Sequence, residues 1–405
     1  MALPPLVEPS APLSTLEIER YARHVLLPQV GMYGQRRLRN ARVLVVGAGG
    51  LGSPALMYLA AAGVGTIGVA DADLVELSNL QRQVVHGTGD VGRLKSASAA
   101  ERLASVNPLV QVVRHDVLID AGNALEIIAD YDLVVDGTDN FQTRYLLNDA
   151  CVLLGKPDVW GSIYRFDGQT SVWWARHGPC YRCVFPQPPP PGLVPSCAEG
   201  GVLGVLCAAI GSIQAAEAVK LIVGIGDPLV GRLMVHDALR QSWDVLTVLK
   251  NPDCAVCGES PTVTGLAGYQ ELCSPGLPAA GGMPRVEVPA DAGAVVPGVS
   301  AIELADLLSA QGSGPQVLVV DVRGPQERAI DGIPGSRAIH LDEFRSGTAV
   351  ARIPFGRPVV IFCKVGARSA EAARILMDAG HPDVRSLSGG VLAWIRDIDP
   401  GQPGY

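Results

Sequence analysis

Two stretches of the chain alternate between short apolar runs and longer amphipathic segments. Such alternation predicts mostly parallel β-sheets with helices on both faces. In the first stretch the predicted strands lie in RVLVV (from Arg42), TIGVADAD, QVVRHDVL and LVVDGTDN, and the helices in residues 15–40, 53–62, ALEIIADY and from Gln142. In the second stretch the predicted strands are 317–320 and 359–362, and the helices are 301–308, 369–379 and 391–395.

The segment from Pro275 to Gly298 separates these stretches. It is rich in Gly, Pro and Ala, which is typical of a linker. A chain of 405 residues is also longer than one hydrophobic core usually supports. We therefore expect a Rossmann-like α/β domain over residues 15–260, a linker over 261–297 and a smaller α/β domain over 298–400.

The composition narrows the classes of function. A net charge of −8 and the lack of a basic tail argue against a nucleic-acid partner. Residues 1–15 contain no basic residue and no long apolar block, so we expect no secretory signal. The uncharged stretch 43–70 is interrupted by glycines and Pro54, so we expect no membrane span. Nine cysteines in a chain predicted to be cytoplasmic favour metal or sulfur chemistry over disulfides.

A glycine motif follows the first predicted strand and precedes the first helix of the β-α-β unit. Gly47, Gly49 and Gly52 have the spacing that lets phosphates approach backbone amides, and Asp71 lies nineteen residues further on, where a carboxylate accepts a ribose hydroxyl. The motif predicts a nucleotide site without selecting the nucleotide. An NAD-dependent oxidoreductase with an appended second domain is therefore one alternative.

A polar cluster after Asp71 favours ATP over NAD. It contains Asp73, Asn79 and Arg82, and Lys95 follows soon after. A triphosphate carries more negative charge than the pyrophosphate of NAD, so added cations point to ATP. In the alternative interpretation, Arg82 caps a helix and Lys95 lies on a solvated face.

Asp139 and Asn140 follow a later predicted strand, at the end where open α/β sheets bind ligands. Asp139 could hold Mg²⁺, which bridges phosphates through one or two carboxylates. The alternative is that one of these two residues caps the next helix.

The motifs GAGGLGS, DADLVELSNLQRQ and DGTDN resemble the MoeB/ThiF family, bacterial relatives of the ubiquitin-activating enzymes, over about residues 15–260. Members adenylate the C-terminal Gly-Gly carboxylate of small ubiquitin-like sulfur carrier proteins. The resemblance implies that Arg23 reaches ATP across a homodimer interface, together with Arg82. It also implies an ATP and Mg²⁺ site formed by Gly50, Asp71, Asn79, Arg82, Lys95 and Asp139.

Two C-x-x-C pairs, Cys180/Cys183 and Cys254/Cys257, could supply the four thiolates of a tetrahedral zinc site. The 70 residues between the pairs leave open two redox dithiols or two unrelated turns. The same pairs occur in MoeB-like proteins, which implies zinc. A four-cysteine site has no open coordination position, so the zinc would be structural.

Cys363 lies in a strand–glycine loop–helix pattern, where Lys364, Arg368 and the helix N-terminus favour a thiolate or a bound persulfide. The six-residue loop, which includes Gly366, resembles that of rhodanese sulfurtransferases, and the resemblance covers about residues 298–400. Cys197 lies in a loop before an apolar helix. It matches the family cysteine that captures the activated carrier or relays sulfur, and the alternative is a small buried residue.

Both halves together resemble the MoeZ-type fusions of an adenylyltransferase with a sulfurtransferase. The resemblance implies that the first domain adenylates the carrier and that Cys363 takes sulfur from thiosulfate or a cysteine desulfurase. The carrier thiocarboxylate would supply molybdopterin, thiamine, cysteine or thio-tRNA synthesis. A non-catalytic scaffold that only binds carriers is a further alternative, against which Cys363 and the ATP motifs argue.

Overall fold

The computed structural model describes residues 3–188, 201–266, 296–309 and 317–403. The chain divides into two compact units, Met1–Ala280 and Gly281–Tyr405. The boundary lies in the segment 267–295, outside the described residues, so the predicted domain limits stay predictions.

The first unit contains an eight-stranded sheet with helices on both faces. Its strands are β1 (Arg42–Val46), β2 (Thr66–Ala70), β3 (Gln111–His115), β4 (Leu133–Asp136), β5 (Asp158–Tyr164), β6 (Asp167–Trp173), β7 (Arg232–Asp237) and β8 (Ser242–Thr247). Its helices are α1 (Thr15–Val25), α2 (Gly31–Asn40), α3 (Gly52–Ala62), α4 (Lys95–Val106), α5 (Ala124–Ala129), α6 (Phe141–Leu154), α7 (Tyr181–Val184) and α8 (Gly204–Val223).

The sheet order is β3-β2-β1-β4-β5-β6-β7-β8. The first five strands in this order, from β3 through β1 to β5, pair in parallel. The strands from β5 to β8 form an antiparallel meander. The chain leaves β1 toward β2 on one side and later returns to β4 on the other. Such a topological switch point opens a crevice at the carboxyl ends of the strands, where ligands of α/β sheets bind.

Helix α8 shows why apolar length alone is a weak sign of a membrane span. Its twenty residues are long and apolar enough to cross a bilayer. Side chains such as Ala218, Leu221 and Ile222 are nevertheless buried in the core that α8 shares with α2, α3 and the sheet. Among the described helices α8 is the one that meets this criterion, and its apolar side chains build the protein interior.

The second unit is a five-stranded parallel sheet in the order β11-β10-β12-β13-β9, with a hydrophobic core on each face. Its strands are β9 (Gly298–Val299), β10 (Leu318–Asp321), β11 (Arg337–Ala338), β12 (Val359–Phe362) and β13 (Val384–Leu387). Its helices are α9 (Ala301–Ser309), α10 (Pro325–Arg328), α11 (Leu341–Arg345), α12 (Ala367–Asp378) and α13 (Gly390–Asp397). The strand order reverses between β10 and β12, so this sheet has a switch point of its own.

The predicted fold class is confirmed in both units. The predicted helical stretch 15–40 is two helices, because the segment between α1 and α2 contains Pro28. The antiparallel meander β5 to β8 was not predicted.

Candidate functional site

An open cleft lies at the switch point of the first unit. The loops that follow β1, β2, β3 and β4 line it, and helix α4 contributes Lys95. Nine residues predicted to bind nucleotide line this cleft: Gly47, Gly49, Gly50, Asp71, Asp73, Arg82, Lys95, Asp139 and Asn140.

The loop at the base of the cleft requires glycine at two positions, for different reasons. Gly47 has a φ of +90°, which residues with a Cβ rarely adopt. A Cβ on Gly52 would lie 1.8 Å from the carbonyl oxygen of Gly47. Glycine at position 52 therefore allows the loop to pack closely against the Gly47 carbonyl, although Gly52 is not among the residues that line the cleft.

Two side chains from outside the loop fix the orientation of Ala48. The Asp71 carboxylate accepts a hydrogen bond from the Ala48 amide at 2.8 Å. The Nε2 atom of His86 lies 3.0 Å from the Ala48 carbonyl oxygen, and its Nδ1 atom lies 2.8 Å from the Ser98 hydroxyl. Because a carbonyl oxygen only accepts, we assign the proton to Nε2. The next amide, that of Gly49, then points away from His86.

Burial changes the pKa values of both groups that hold Ala48. It raises the pKa of Asp71, while the charge of Lys95 acts in the opposite direction. It lowers the pKa of His86, so the neutral imidazole that this hydrogen-bond pattern requires is favoured. His86 was missed at the sequence level, because an isolated histidine carries no motif.

Lys95 and Arg82 supply positive charge to the cleft. Lys95 is only 7% exposed, so the alternative of a solvated face is wrong. Its Nζ atom lies 2.8 Å from a carboxylate oxygen of Asp73, whose side chain is 75% exposed. Arg82 is half-buried and donates to the Ser78 carbonyl oxygen, a contact within its own turn. Both cations border space that an anion can enter.

Arg144 is a third cation of the cleft, which the sequence analysis missed. It is buried, donates to the Thr138 carbonyl oxygen at 3.0 Å, and lies over the rings of Phe141 and Trp160. A single basic residue in the first turn of the helix that follows DGTDN was the available signal. Its charge also opposes the effect of burial, which raises the pKa of Asp136.

The remaining nucleotide predictions divide by location. Asp139 is exposed in the cleft, and Asn140 caps α6 by accepting a hydrogen bond from the Thr143 amide. Asn79 is buried and accepts a hydrogen bond from the Glu76 amide, outside the cleft lining. Arg23 lies exposed on α1, also outside the lining.

The two C-x-x-C pairs come together, although 70 residues separate them in sequence. Three of the Sγ–Sγ distances are 3.4, 3.6 and 3.9 Å, and all four sulfurs lie within 4.8 Å of one another. A tetrahedron with Zn–S bonds of about 2.3 Å has edges of about 3.8 Å. Cys180, Cys183, Cys254 and Cys257 therefore fit a zinc ion.

Cys363 occupies the switch point of the second unit, directly after β12. Its side chain is 1% exposed, and its Sγ atom accepts a hydrogen bond from the Gly366 amide at 3.1 Å. The Ser369 hydroxyl lies 3.6 Å from the same sulfur. Gly366 has a φ of +114°, which directs its amide into the loop. The loop thus directs a backbone amide and a hydroxyl at the sulfur.

The two cations predicted beside Cys363 have different environments. Lys364 is buried, whereas Arg368 is half-buried and forms two hydrogen bonds to the Glu327 carboxylate, at 2.6 and 2.9 Å. Glu327 was not identified from the sequence. Cys197, the other predicted reactive cysteine, lies outside the described residues.

Two family matches cover most of the chain. Residues 21–256 match the ThiF family, and residues 303–397 match the rhodanese-like domain. A crystal structure of E. coli MccB with MccA-N7isoASN shares the fold, with a TM-score of 0.54 and 23% identity over 61% of this chain and 76% of that chain.

Named relatives carry both domains or only the first. The probable adenylyltransferase/sulfurtransferase MoeZ of Mycobacterium tuberculosis is 48% identical over 100% of this chain and 99% of its own length. Adenylyltransferase and sulfurtransferase MOCS3 of Aedes aegypti is 40% identical over 97% of this chain and 90% of its length. The sulfur carrier protein adenylyltransferase of Thermus thermophilus is 57% identical over 64% of this chain and 97% of its length. The chain belongs to the ThiF family and carries a rhodanese-like domain after its ThiF region.

Proposed function

We propose that the protein adenylates the C-terminal Gly-Gly carboxylate of a ubiquitin-like sulfur carrier and then transfers sulfur to it from Cys363. The observation that carries the proposal is the cleft itself, where Lys95, Arg82 and Arg144 surround space beside a glycine loop. Three cations are more than a pyrophosphate needs, so the cleft favours ATP over NAD. The NAD-dependent oxidoreductase is therefore not favoured.

In the first step, a carboxylate oxygen of the carrier attacks the α-phosphorus of ATP. The bond to the bridging oxygen breaks, and pyrophosphate leaves. This attack brings anions together, so Lys95 and Arg82 would stabilise the charge that develops. Asp139 would hold a Mg²⁺ ion, which neutralises phosphate charge when it is bound.

In the second step, the outer sulfur of a Cys363 persulfide attacks the carbonyl carbon of the acyl adenylate, and AMP leaves. The carrier is then joined to Cys363 through an acyl disulfide. A thiolate that attacks the Cys363 sulfur releases the carrier thiocarboxylate and leaves a disulfide behind. Cys197 is our candidate for that thiol.

Further parts of the proposal concern the assembly. Arg23 lies outside the cleft of its own chain, and we assign it to the cleft of a second copy in a homodimer. Zinc bound by the four cysteines would hold the segment after β8 to the segment after β6.

We assign the enzyme to the cytoplasm, with thiosulfate or a cysteine desulfurase as the sulfur donor.

The test is the intact mass of a Gly-Gly-ending carrier after incubation with the protein, Mg-ATP and thiosulfate. We expect a mass increase that matches the replacement of one oxygen by sulfur. Asp139→Ala should stop AMP formation while Cys363 still gains sulfur, and Cys363→Ser should still form carrier adenylate. An unmodified carrier without AMP formation, across several carriers, would contradict the proposal.

A further inference from the structure

In the second unit, the loop from Cys363 to Arg368 (the persulfide loop) ends in an arginine that pairs with the carboxylate of Glu327. Both terminal nitrogens of Arg368 donate to Glu327, so the ion pair is bidentate. The two side chains are only 25% and 16% exposed. A partly buried bidentate pair is stronger and less screened than a typical surface pair.

Glu327 is held in place by a second contact. Its Oε2 atom accepts a hydrogen bond from the Gly324 amide at 3.0 Å, in the turn before α10. That turn follows β10, and β10 pairs with β12 so that Asp321 lies beside Phe362, the residue before Cys363. The carboxylate therefore comes from the neighbouring strand at the same edge of the sheet as the reactive sulfur.

The Arg368–Glu327 ion pair lowers the net positive charge that an approaching sulfur donor encounters at the loop. Lys364 is only 7% exposed, so Arg368 is the loop cation nearer to solvent. With Glu327 bound to it, the guanidinium offers little net positive charge to an incoming anion. The sequence alone, with Lys364 and Arg368 beside Cys363, predicted a more positive loop.

Two classes of sulfur donor differ in how much they need that charge. When the Cys363 thiolate attacks thiosulfate, the S–S bond breaks and the electron pair leaves on sulfite, a dianion. When it attacks a thiol persulfide, RS–SH, the outer sulfur and its proton move to Cys363, and the pair leaves on the monoanion RS⁻. An unpaired arginine would stabilise the sulfite dianion more than the thiolate.

We propose that Glu327 is a specificity-determining residue that selects thiol persulfides over thiosulfate as the sulfur donor. The proposal rests on the sulfurtransferase function proposed for Cys363. Glu327 acts through Arg368 and need not touch the donor.

The test compares Glu327→Gln with the unmodified full chain in single-turnover loading of Cys363. Gln keeps an oxygen for the Gly324 amide but removes the negative charge. The second-order loading rate with thiosulfate should rise about tenfold, and that with glutathione persulfide should change less than about twofold. The selectivity ratio is the readout, because a merely structural defect would lower both rates together.

Glu371→Gln is the matched control. Glu371 lies one turn after Arg368 on α12 and forms its bidentate ion pair with Arg345, so its loss removes the same charge without breaking the Arg368–Glu327 pair. This control should leave the selectivity ratio unchanged. An unchanged or reduced thiosulfate rate in folded Glu327→Gln would overturn the proposal, as would an equal rise in the control.

A second measurement needs no variant. Because Arg368 is already neutralised, thiosulfate loading of the unmodified chain should change less than about twofold between low and high salt. A steep fall with salt would show an available cation and would also overturn the proposal. If neither donor loads Cys363 at all, the proposed sulfurtransferase function fails instead.

Discussion

The two candidate sites occupy equivalent places in different sheets but are assembled in different ways. The nucleotide cleft collects residues from the loops after β1, β2, β3 and β4, from β5 and from α4, so its members are spread from Val46 to Val202. The cradle of Cys363 comes almost entirely from residues 363–369. A switch point thus provides a crevice in each unit, and the surrounding loops determine its chemistry.

Each site also contains a cation paired with a carboxylate. The two pairs differ in the number of contacts and in how exposed the carboxylate is. Lys95 makes one contact with Asp73, whose side chain is 75% exposed. Arg368 makes two contacts with Glu327, which the Gly324 amide also holds. A phosphate can readily displace the exposed Asp73 carboxylate from Lys95. The Glu327 carboxylate, which three hydrogen bonds hold, should stay on Arg368. Similar pairs can therefore serve ligand exchange in one site and selectivity in the other.

The largest expected effect separates the two sites. Lys95→Met removes a buried cation beside the place where charge develops, so adenylate formation should fall about 100- to 1,000-fold. Sulfur loading of Cys363 should stay unchanged, because the residues around it belong to the other unit. ATP–pyrophosphate exchange and the mass of the loaded chain measure the two activities. A parallel loss of both in a folded variant would contradict separate sites.

Loss of the zinc ion proposed for the four cysteines should affect the first unit alone. Cys254→Ser leaves three thiolates, so zinc content should fall from one ion per chain toward zero. Loss of a metal that joins the segments after β6 and β8 should destabilise this unit by roughly 3 kcal/mol or more. Its Tm should then fall by about 6–12 °C. Elemental analysis and calorimetry provide the measurements, and Cys151→Ser, at a cysteine outside the cluster, is the control. A chain that is stable and zinc-free before mutation would contradict the assignment.

His86 tests how firmly the glycine loop is held. His86→Gln should cost about 1–3 kcal/mol, because buried hydrogen bonds to Ala48 and Ser98 are lost or distorted. The pKa of His86 is lowered from 6.5 in the folded chain. As pH falls below 6.5, the unfolded chain therefore binds a proton that the folded chain resists, and stability decreases.

The variant lacks this titration, so its Tm should decline less steeply between pH 7 and pH 5.5 than that of the unmodified chain. His381→Gln provides a comparison, since His381 is a buried histidine of the second unit whose pKa is also lowered by burial. Equal slopes for unmodified and His86→Gln chains in the transition of the first unit would show that His86 carries no proton linkage.

The smallest effect should come from Asp73→Asn. Because Asp73 is exposed, its ion pair with Lys95 is worth about 0–1 kcal/mol. Its removal should therefore lower the KM for ATP by no more than about fivefold. Steady-state adenylation with Asp116→Asn as a control for an exposed acidic residue measures the change. A tenfold or greater rise in KM would mean that Asp73 binds the nucleotide complex rather than merely pairing with Lys95.

The sequence predicted the fold and nine of the residues that line the cleft, because both depend on local patterns. Strand–glycine–helix spacing marks Gly47 and Gly52, and a single strand–loop–helix segment marks Cys363. Residues whose partners lie far away in sequence could not be predicted in this way. His86 reaches Ala48 across 38 residues, and Glu327 reaches Arg368 across 41.

The cysteine cluster is an informative intermediate case. Its two pairs are visible in sequence, but only the fold brings Cys180 within 3.6 Å of Cys254. The meander β5 to β8 makes this possible, and its strands lacked a clear signal. Arg144 differs again, because its position after DGTDN was visible while its burial against Trp160 was not.

The same cluster bears on how the chain matures during synthesis. Cys180 and Cys254 are 74 positions apart, and helix α8 lies between them. A ribosome that has delivered only the first pair has not yet released the segment that completes the core and the metal site. We therefore expect metal capture to be a late step that follows the release of β8. Under metal starvation, newly made chains would then carry four unbound thiols in this cluster for longer.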